Sequence, residues 1–220
     1  MSTSDNFIYL TFALILLLLS MALAQQFFSP SIQRIAQSTT VITLLVAVWG
    51  AESKNLFLRK ALIFPVAIII TALCGALLDN WGLDYAHLFL LLIFFIITAY
   101  RTAHQVLFTG EINGNKILGA ICLYILMGLI WALTYTLIEL LLGTAFTNVL
   151  NNLAWYELLP DFVYFSFVTM TTLGFGDIAP TMPITRFLVY LEAIVGQFYL
   201  AILVASLVGS KMSNTTLTRK

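Results

Sequence analysis

A chain of 220 residues that is 61% hydrophobic and only 9% charged is no ordinary soluble domain, since those carry about 25% charged residues. Apolar runs of ~20 residues, the length that crosses a bilayer, recur along it, so an all-α integral membrane protein is expected. The formal net charge is zero, which gives no basic face for nucleic acid and no bias toward an acidic partner.

The first apolar run, 7–24, reads as a membrane helix. Ala22-Leu23-Ala24 before Gln25 has the small-residue pattern of a signal-peptidase site. No lysine or arginine precedes the run, however, and it is longer than a usual signal core, so a retained helix is expected. Ser29-Pro30 then forms a helix start, serine capping and proline in the first turn, and a second helix follows over 31–50. The third is expected over 61–78, a tight turn at 79–82, and the fourth over 85–100. Cys74 and Cys122 each lie inside an apolar run at no disulfide or metal spacing, and read as small buried residues. A polar connector over 101–115 leads to a fifth helix over 116–142, and a sixth is expected over 183–209.

Between the last two lies an apolar stretch at 161–172 that is too short to span. It suits a re-entrant helix, with Asp161 after Pro160 as its N-cap. Non-helical backbone at membrane depth is tolerated only where protein buries it or it lines a watery cavity. The segment that follows, Thr169-Met170-Thr171-Thr172-Leu173-Gly174-Phe175-Gly176-Asp177, must therefore occupy such a place. Its alternating glycines tolerate positive φ, which lets the carbonyls of Thr172, Leu173, Gly174 and Phe175 face one axis. A ring of such oxygens replaces the water shell of a dehydrated potassium ion. The short helix would aim its C-terminal end, with a partial charge of roughly −0.5, at the same axis.

Charge gives an orientation. With six spans and both termini cytoplasmic, Lys54, Arg59, Lys60, Arg101, Lys116, Lys211, Arg219 and Lys220 lie inside, and only Arg34 and Arg186 outside. Asp177 then sits at the outer mouth.

The glycine pattern, the Thr169-Met170-Thr171 lead-in and the outward Asp177 closely resemble the selectivity filter of tetrameric potassium channels. The resemblance extends over about 116–209 and includes the spacing from Asp177 to Arg186 and Gly196. It implies a four-helix membrane domain over 1–110 and a pore domain over 111–220, the latter built of outer helix 116–142, pore helix 161–172, filter 172–177 and inner helix 183–209. The implied filter residues are Thr172, Leu173, Gly174, Phe175 and Gly176, with K+ at the carbonyls of Thr172, Leu173, Gly174 and Phe175 and a second ligand from the Thr172 hydroxyl. K+ is then the permeant ion, and no cofactor is implied. Thr171, Tyr164, Phe165, Val168 and Asp177 become the filter's supports. Leu173 and Phe175 stand where the family usually has valine and tyrosine. These changes spare the backbone ligands but remove a hydroxyl that would brace the filter. Phe165 and Val168 stand where many relatives place a partner for the aspartate, leaving Tyr164 as the nearest polar candidate.

On the inner helix, Gln197, Leu200 or Ala201, Val204 and Val208 recur at helical spacing. If that face lines a cavity, Val204 and Val208 form an apolar gate; ordinary helix packing is the alternative. Gly196 reads as a hinge or as a point of close packing. Glu192, an acid deep in an apolar helix, reads as a polar anchor to a neighbouring helix, and Glu139 as structural. The 85–100 helix holds none of the spaced arginines that a voltage sensor requires.

The sequence thus predicts a homotetrameric, voltage-insensitive potassium channel in the plasma or inner membrane, with lipid and three further copies of itself as partners and a separate regulatory subunit left open. A weakly selective monovalent cation channel and a potassium transporter subunit are the alternatives. No triad, phosphate loop or metal cluster suggests an enzyme.

Overall fold

The computed structural model describes residues 6–29, 81–108, 114–149 and 154–217, with isolated positions at 33, 67, 68, 70, 71 and 74. The predicted second and third helices, 31–50 and 61–78, lie outside the described residues apart from those positions. Among the described residues the helices are α1 (Asn6–Phe27), α2 (Trp81–Phe108), α3 (Gly114–Leu142), α4 (Trp155–Met170) and α5 (Pro183–Leu217). Two short strands, β1 (Phe146–Thr147) and β2 (Ala179–Pro180), pair antiparallel with Phe146 opposite Pro180 and Thr147 opposite Ala179. Four described helices are long and apolar enough to cross a membrane. At 16 residues, α4 rises about 24 Å and falls short of a ~30 Å hydrocarbon core.

α3 is the central element, packing against α1, α2, α4 and α5. One strip of it, including Leu126, Leu129, Ala132, Leu133 and Tyr135, is fully buried, and it meets Leu14 and Leu17 of α1, Leu88 and Leu91 of α2 and Phe162 of α4. Phe146 joins this core from the loop after α3, edge-on to Tyr135 and Phe162. α3 approaches α4 at Gly128, where an added Cβ would lie 2.8 Å from the Phe167 ring. Hydroxyls tie the helices where apolar burial alone leaves their depth undetermined. Tyr85 of α2 donates to the Leu140 carbonyl at 3.0 Å, and Tyr199 of α5 to the Ala120 carbonyl at 2.6 Å. Thr11 of α1 meets Cys122 of α3 at 3.0 Å. Cys122 is buried and free, as its apolar setting predicted.

Two boundaries differ from the sequence expectation. α2 begins at Trp81 and continues to Phe108, so residues expected in a tight turn and in a polar connector are helical. A turn and a half of helix can carry Arg101, His104 and Gln105 beyond an apolar segment without breaking, because all three are adequate helix formers. α4 begins at Trp155 rather than at 161. Its first turn is closed by Glu157, whose carboxylate accepts the Ala154 N–H at 2.9 Å. Asp161 is therefore inside the helix and caps nothing. Its carboxylate instead accepts the Gln25 amide of α1 at 2.7 Å.

Candidate functional site

The site is the loop that leaves α4. The last four carbonyls of a helix lack intrahelical partners, and here every one is taken. Phe167 O accepts from Thr171 N at 3.0 Å and from the Thr171 hydroxyl at 2.6 Å. Val168 O accepts from Leu173 N and Gly174 N at 3.0 and 3.4 Å, and Thr169 O from Thr172 N at 3.0 Å. Met170 O receives the Gln197 amide of α5 at 3.5 Å.

This pattern decides where the loop's own carbonyls face. A trans peptide is planar, with its C=O opposed to the N–H of the next residue, and the described residues contain no cis peptide. The amides of Thr172, Leu173 and Gly174 turn back to α4, so the carbonyls of Thr171, Thr172 and Leu173 face the other way. Alternation continues the pattern: φ is +61° at Thr172, +57° at Gly174 and +78° at Gly176, and not positive at Leu173 or Phe175. The glycines adopt this conformation freely, whereas Thr172 is held there at a steric cost of about 1–3 kcal/mol. Residues 171–177 are all exposed on the single chain, Leu173 to 62% and Phe175 to 66%. Carbonyl oxygens presented in a row on an exposed strip have the chemistry of cation ligands and not of anion ligands.

The far end of the loop is tied at Asp177. Its carboxylate accepts the Ile178 N–H at 3.1 Å and lies beside the Tyr164 hydroxyl of α4, and these polar neighbours hold its carboxyl below the usual carboxylate range, the tyrosine contributing most. The Tyr164 ring also stacks on Phe175, with centroids 6.5 Å apart and planes 7° from parallel. The Asp177 carbonyl accepts the Asn148 amide at 2.6 Å. Asn148 reaches it because β1 pairs with β2 and the Thr147 hydroxyl accepts from Ala179 N at 3.1 Å. The start of this arm is fixed by Glu139, whose carboxylate accepts the N–H groups of Ala145 and Phe146 at 2.9 and 3.0 Å.

The other residues singled out by sequence divide. Val168 acts through its carbonyl. Phe165 does not serve the loop directly, because its ring packs edge-on against Tyr135 and Phe146 in the core. Gly196 is a close approach: an added Cβ would lie 2.9 Å from Met170 O. Gln197 is joined to that same carbonyl. Val204, two turns further along α5, is 59% exposed, and the Val208 side chain lies outside the described residues. Glu192 is an anchor between helices, bonded to Tyr135 of α3 and Ser166 of α4.

Sequence reasoning missed Asn148 and the β1–β2 pair. The Asn148 φ of +58° is one asparagine tolerates better than most residues, but nothing near it in sequence marks Asp177 as its partner. Ser166 was missed as well, although a serine in an apolar helix is a readable sign of a polar tie.

No curated protein and no solved structure matches the chain. Residues 123–211 match a protein family described as "Ion channel", a stretch running from α3 through α4, the loop and β2 into α5. This stretch is thus similar to an ion-channel family, and with four described helices long and apolar enough to cross a membrane it points to a membrane-embedded channel protein rather than an enzyme.

Proposed function

We propose that the chain is one subunit of a homotetrameric potassium channel, with Thr172–Gly176 as its selectivity filter, α4 as a re-entrant pore helix, α3 as outer helix and α5 as inner helix. The observation that carries the reading is the set of amides from Thr172 to Gly174 turned back onto α4, which leaves the neighbouring carbonyls bare on an exposed strip. Each chain has one such strip, so closing a ring of oxygens takes four chains. α5 suits that assembly: Phe187, Tyr190, Ile194, Phe198 and Ile202 are all exposed on the single chain. In a membrane that apolar face meets lipid or another subunit.

The orientation follows from the positive-inside bias, with six spans, both termini cytoplasmic and Asp177 outermost. Gating by voltage is not expected, because Arg101 is the lone arginine of α2. Phe175, lacking the usual hydroxyl, supports the second reading of a weakly selective monovalent cation channel. Tyr164, stacked on Phe175, supplies a hydroxyl beside Asp177, and this favours the selective pore.

Purified protein in liposomes tests the proposal. Potassium-driven flux should exceed sodium-driven flux, be independent of voltage, and vanish in Gly174→Asp, whose side chain is strained at positive φ and fills the ion path. Equal potassium and sodium fluxes would leave the weakly selective channel. Absence of flux in an assembled tetramer rejects both.

A further inference from the structure

Glu192 lies on α5 with no accessible surface, and each of its carboxyl oxygens meets a hydroxyl. Oε2 accepts from the Tyr135 hydroxyl of α3 at 2.6 Å, and Oε1 lies 2.5 Å from the Ser166 Oγ of α4. Ser166 Oγ is also 2.9 Å from the Gly128 carbonyl oxygen of α3. Tyr135 and Ser166 are equally buried. Among the described residues, Tyr124 of α3 is a further titratable group within electrostatic reach of Glu192, and no cation is among the acid's bonded partners.

Counting protons decides the protonation state. A hydroxyl carries a single donor, and a backbone carbonyl donates nothing. Tyr135 spends its proton on Oε2. Ser166 then has one proton for two acceptors, Gly128 O and Oε1. If Glu192 were ionised, one of these oxygen pairs would stand at bonding distance with no proton between them, in a site without accessible surface. A proton on Oε1 resolves the count: Glu192 donates to Ser166, Ser166 donates to Gly128 O, and Tyr135 donates to Oε2. Every oxygen then has a partner, and an uncompensated charge inside an apolar bundle, which is costly, is avoided.

We infer that Glu192 is held as the neutral carboxylic acid and that its donated bond to Ser166 makes it a positioning residue for the loop. The acid joins three helices at one point. Ser166 lies one turn before Met170, and two residues before Val168, whose carbonyl holds the Leu173 and Gly174 amides. Fixing Ser166 between α3 and α5 therefore fixes the depth at which those carbonyls are presented. The positioning role rests on the channel reading above, whereas the protonation state does not.

Infrared spectra of the reconstituted full chain test the protonation state directly. The difference between wild type and Glu192→Gln should contain the carbonyl stretch of a protonated carboxylic acid. Ionised-carboxylate bands in its place overturn the assignment, whether or not the protein conducts. Flux tests the positioning. A glutamine in place of the acid offers an amide donor to Ser166 and an acceptor to Tyr135, so Glu192→Gln should keep the wild-type ratio of potassium to sodium flux. Glu192→Met, of similar size but without either bond, should lower that ratio by about tenfold or more, since each lost buried hydrogen bond is on that scale. Tetramers are confirmed for each variant before flux is read, and Ser166→Ala, which removes only the relay, should reproduce the loss of selectivity if Glu192→Met does not assemble. An unchanged ratio in Glu192→Met or Ser166→Ala, or a collapsed one in Glu192→Gln, overturns the role. A wild type without flux rejects the channel reading and with it the positioning, while leaving the infrared result to stand alone.

Discussion

Asp177 and Tyr164 are thirteen positions apart and meet across the end of the loop, where the tyrosine hydroxyl is the main cause of the lowered aspartate pKa. Because this neighbour lowers the carboxyl's folded pKa below its unfolded one, its contribution is complete above the ordinary carboxylate range. It is lost as pH falls through the lowered value. Tyr164→Phe removes the main donor and returns the aspartate toward its ordinary range. Acid applied to the outer side should therefore reduce conduction at a higher pH than in wild type, and coincident acid midpoints for the two proteins would contradict this. Sequence pointed to this neighbour because tyrosine is the nearest polar side chain on a helix that ends beside the loop. Asn148 was not legible, since its reach to Asp177 depends on a two-residue strand pair that no periodicity announces. Nor was Thr172 readable as a third positive-φ position, because a β-branched residue ordinarily resists that conformation and only the amide bonds to α4 hold it.

At the scale of helices, Gly196 separates two accounts that sequence left open. If it is chiefly a hinge, Gly196→Ala should stabilise α5 by about 1 kcal/mol, the difference between the two residues in a helix interior. The geometry points the opposite way, because the new methyl would press on Met170 backbone atoms at 2.9 and 3.2 Å. Those atoms belong to the last turn of α4 and cannot rotate aside. Overpacking of this kind costs about 1–3 kcal/mol, so the variant should unfold at a lower temperature and discriminate potassium from sodium less well. An unfolding temperature equal to or above wild type would restore the hinge. The long apolar runs gave the existence of α1, α3 and α5, since few other structures accommodate them. The start of α4 was hidden because Pro160-Asp161 reads as a proline followed by an N-cap, yet here both stand inside a helix whose N-terminus is closed by Glu157.

For the molecule as a whole, α1 is not a bystander. Its Leu14 and Leu17 are buried in the same core as α3, and Gln25 bonds Asp161 on α4. The helix that sequence placed in a separate 1–110 unit thus packs directly on the elements proposed to form the pore. In the assembly proposed here, bound potassium would stabilise the tetramer over its separated chains by mass action. Heating in potassium should accordingly dissociate the tetramer at a higher temperature than heating in sodium, read by size-exclusion chromatography of the detergent-solubilised protein. Identical transitions in the two salts would argue against a dehydrated potassium site. The proposed assembly rests in sequence only on the single filter-like segment per chain; the chain's apolar exterior looks the same whether lipid or protein covers it.

The alternating backbone of 172–176 has one more consequence. Strands and helices twist because their residues share one hand. A segment whose residues take opposite hands in turn cancels that rotation step by step. Four such segments can stand straight and parallel about one axis, each successive tier of oxygens repeating the one below without supercoiling. Tiers alike in geometry are alike in energy, so an ion passing from one to the next would meet a nearly level staircase rather than a single deep well, and tight coordination need not mean slow passage.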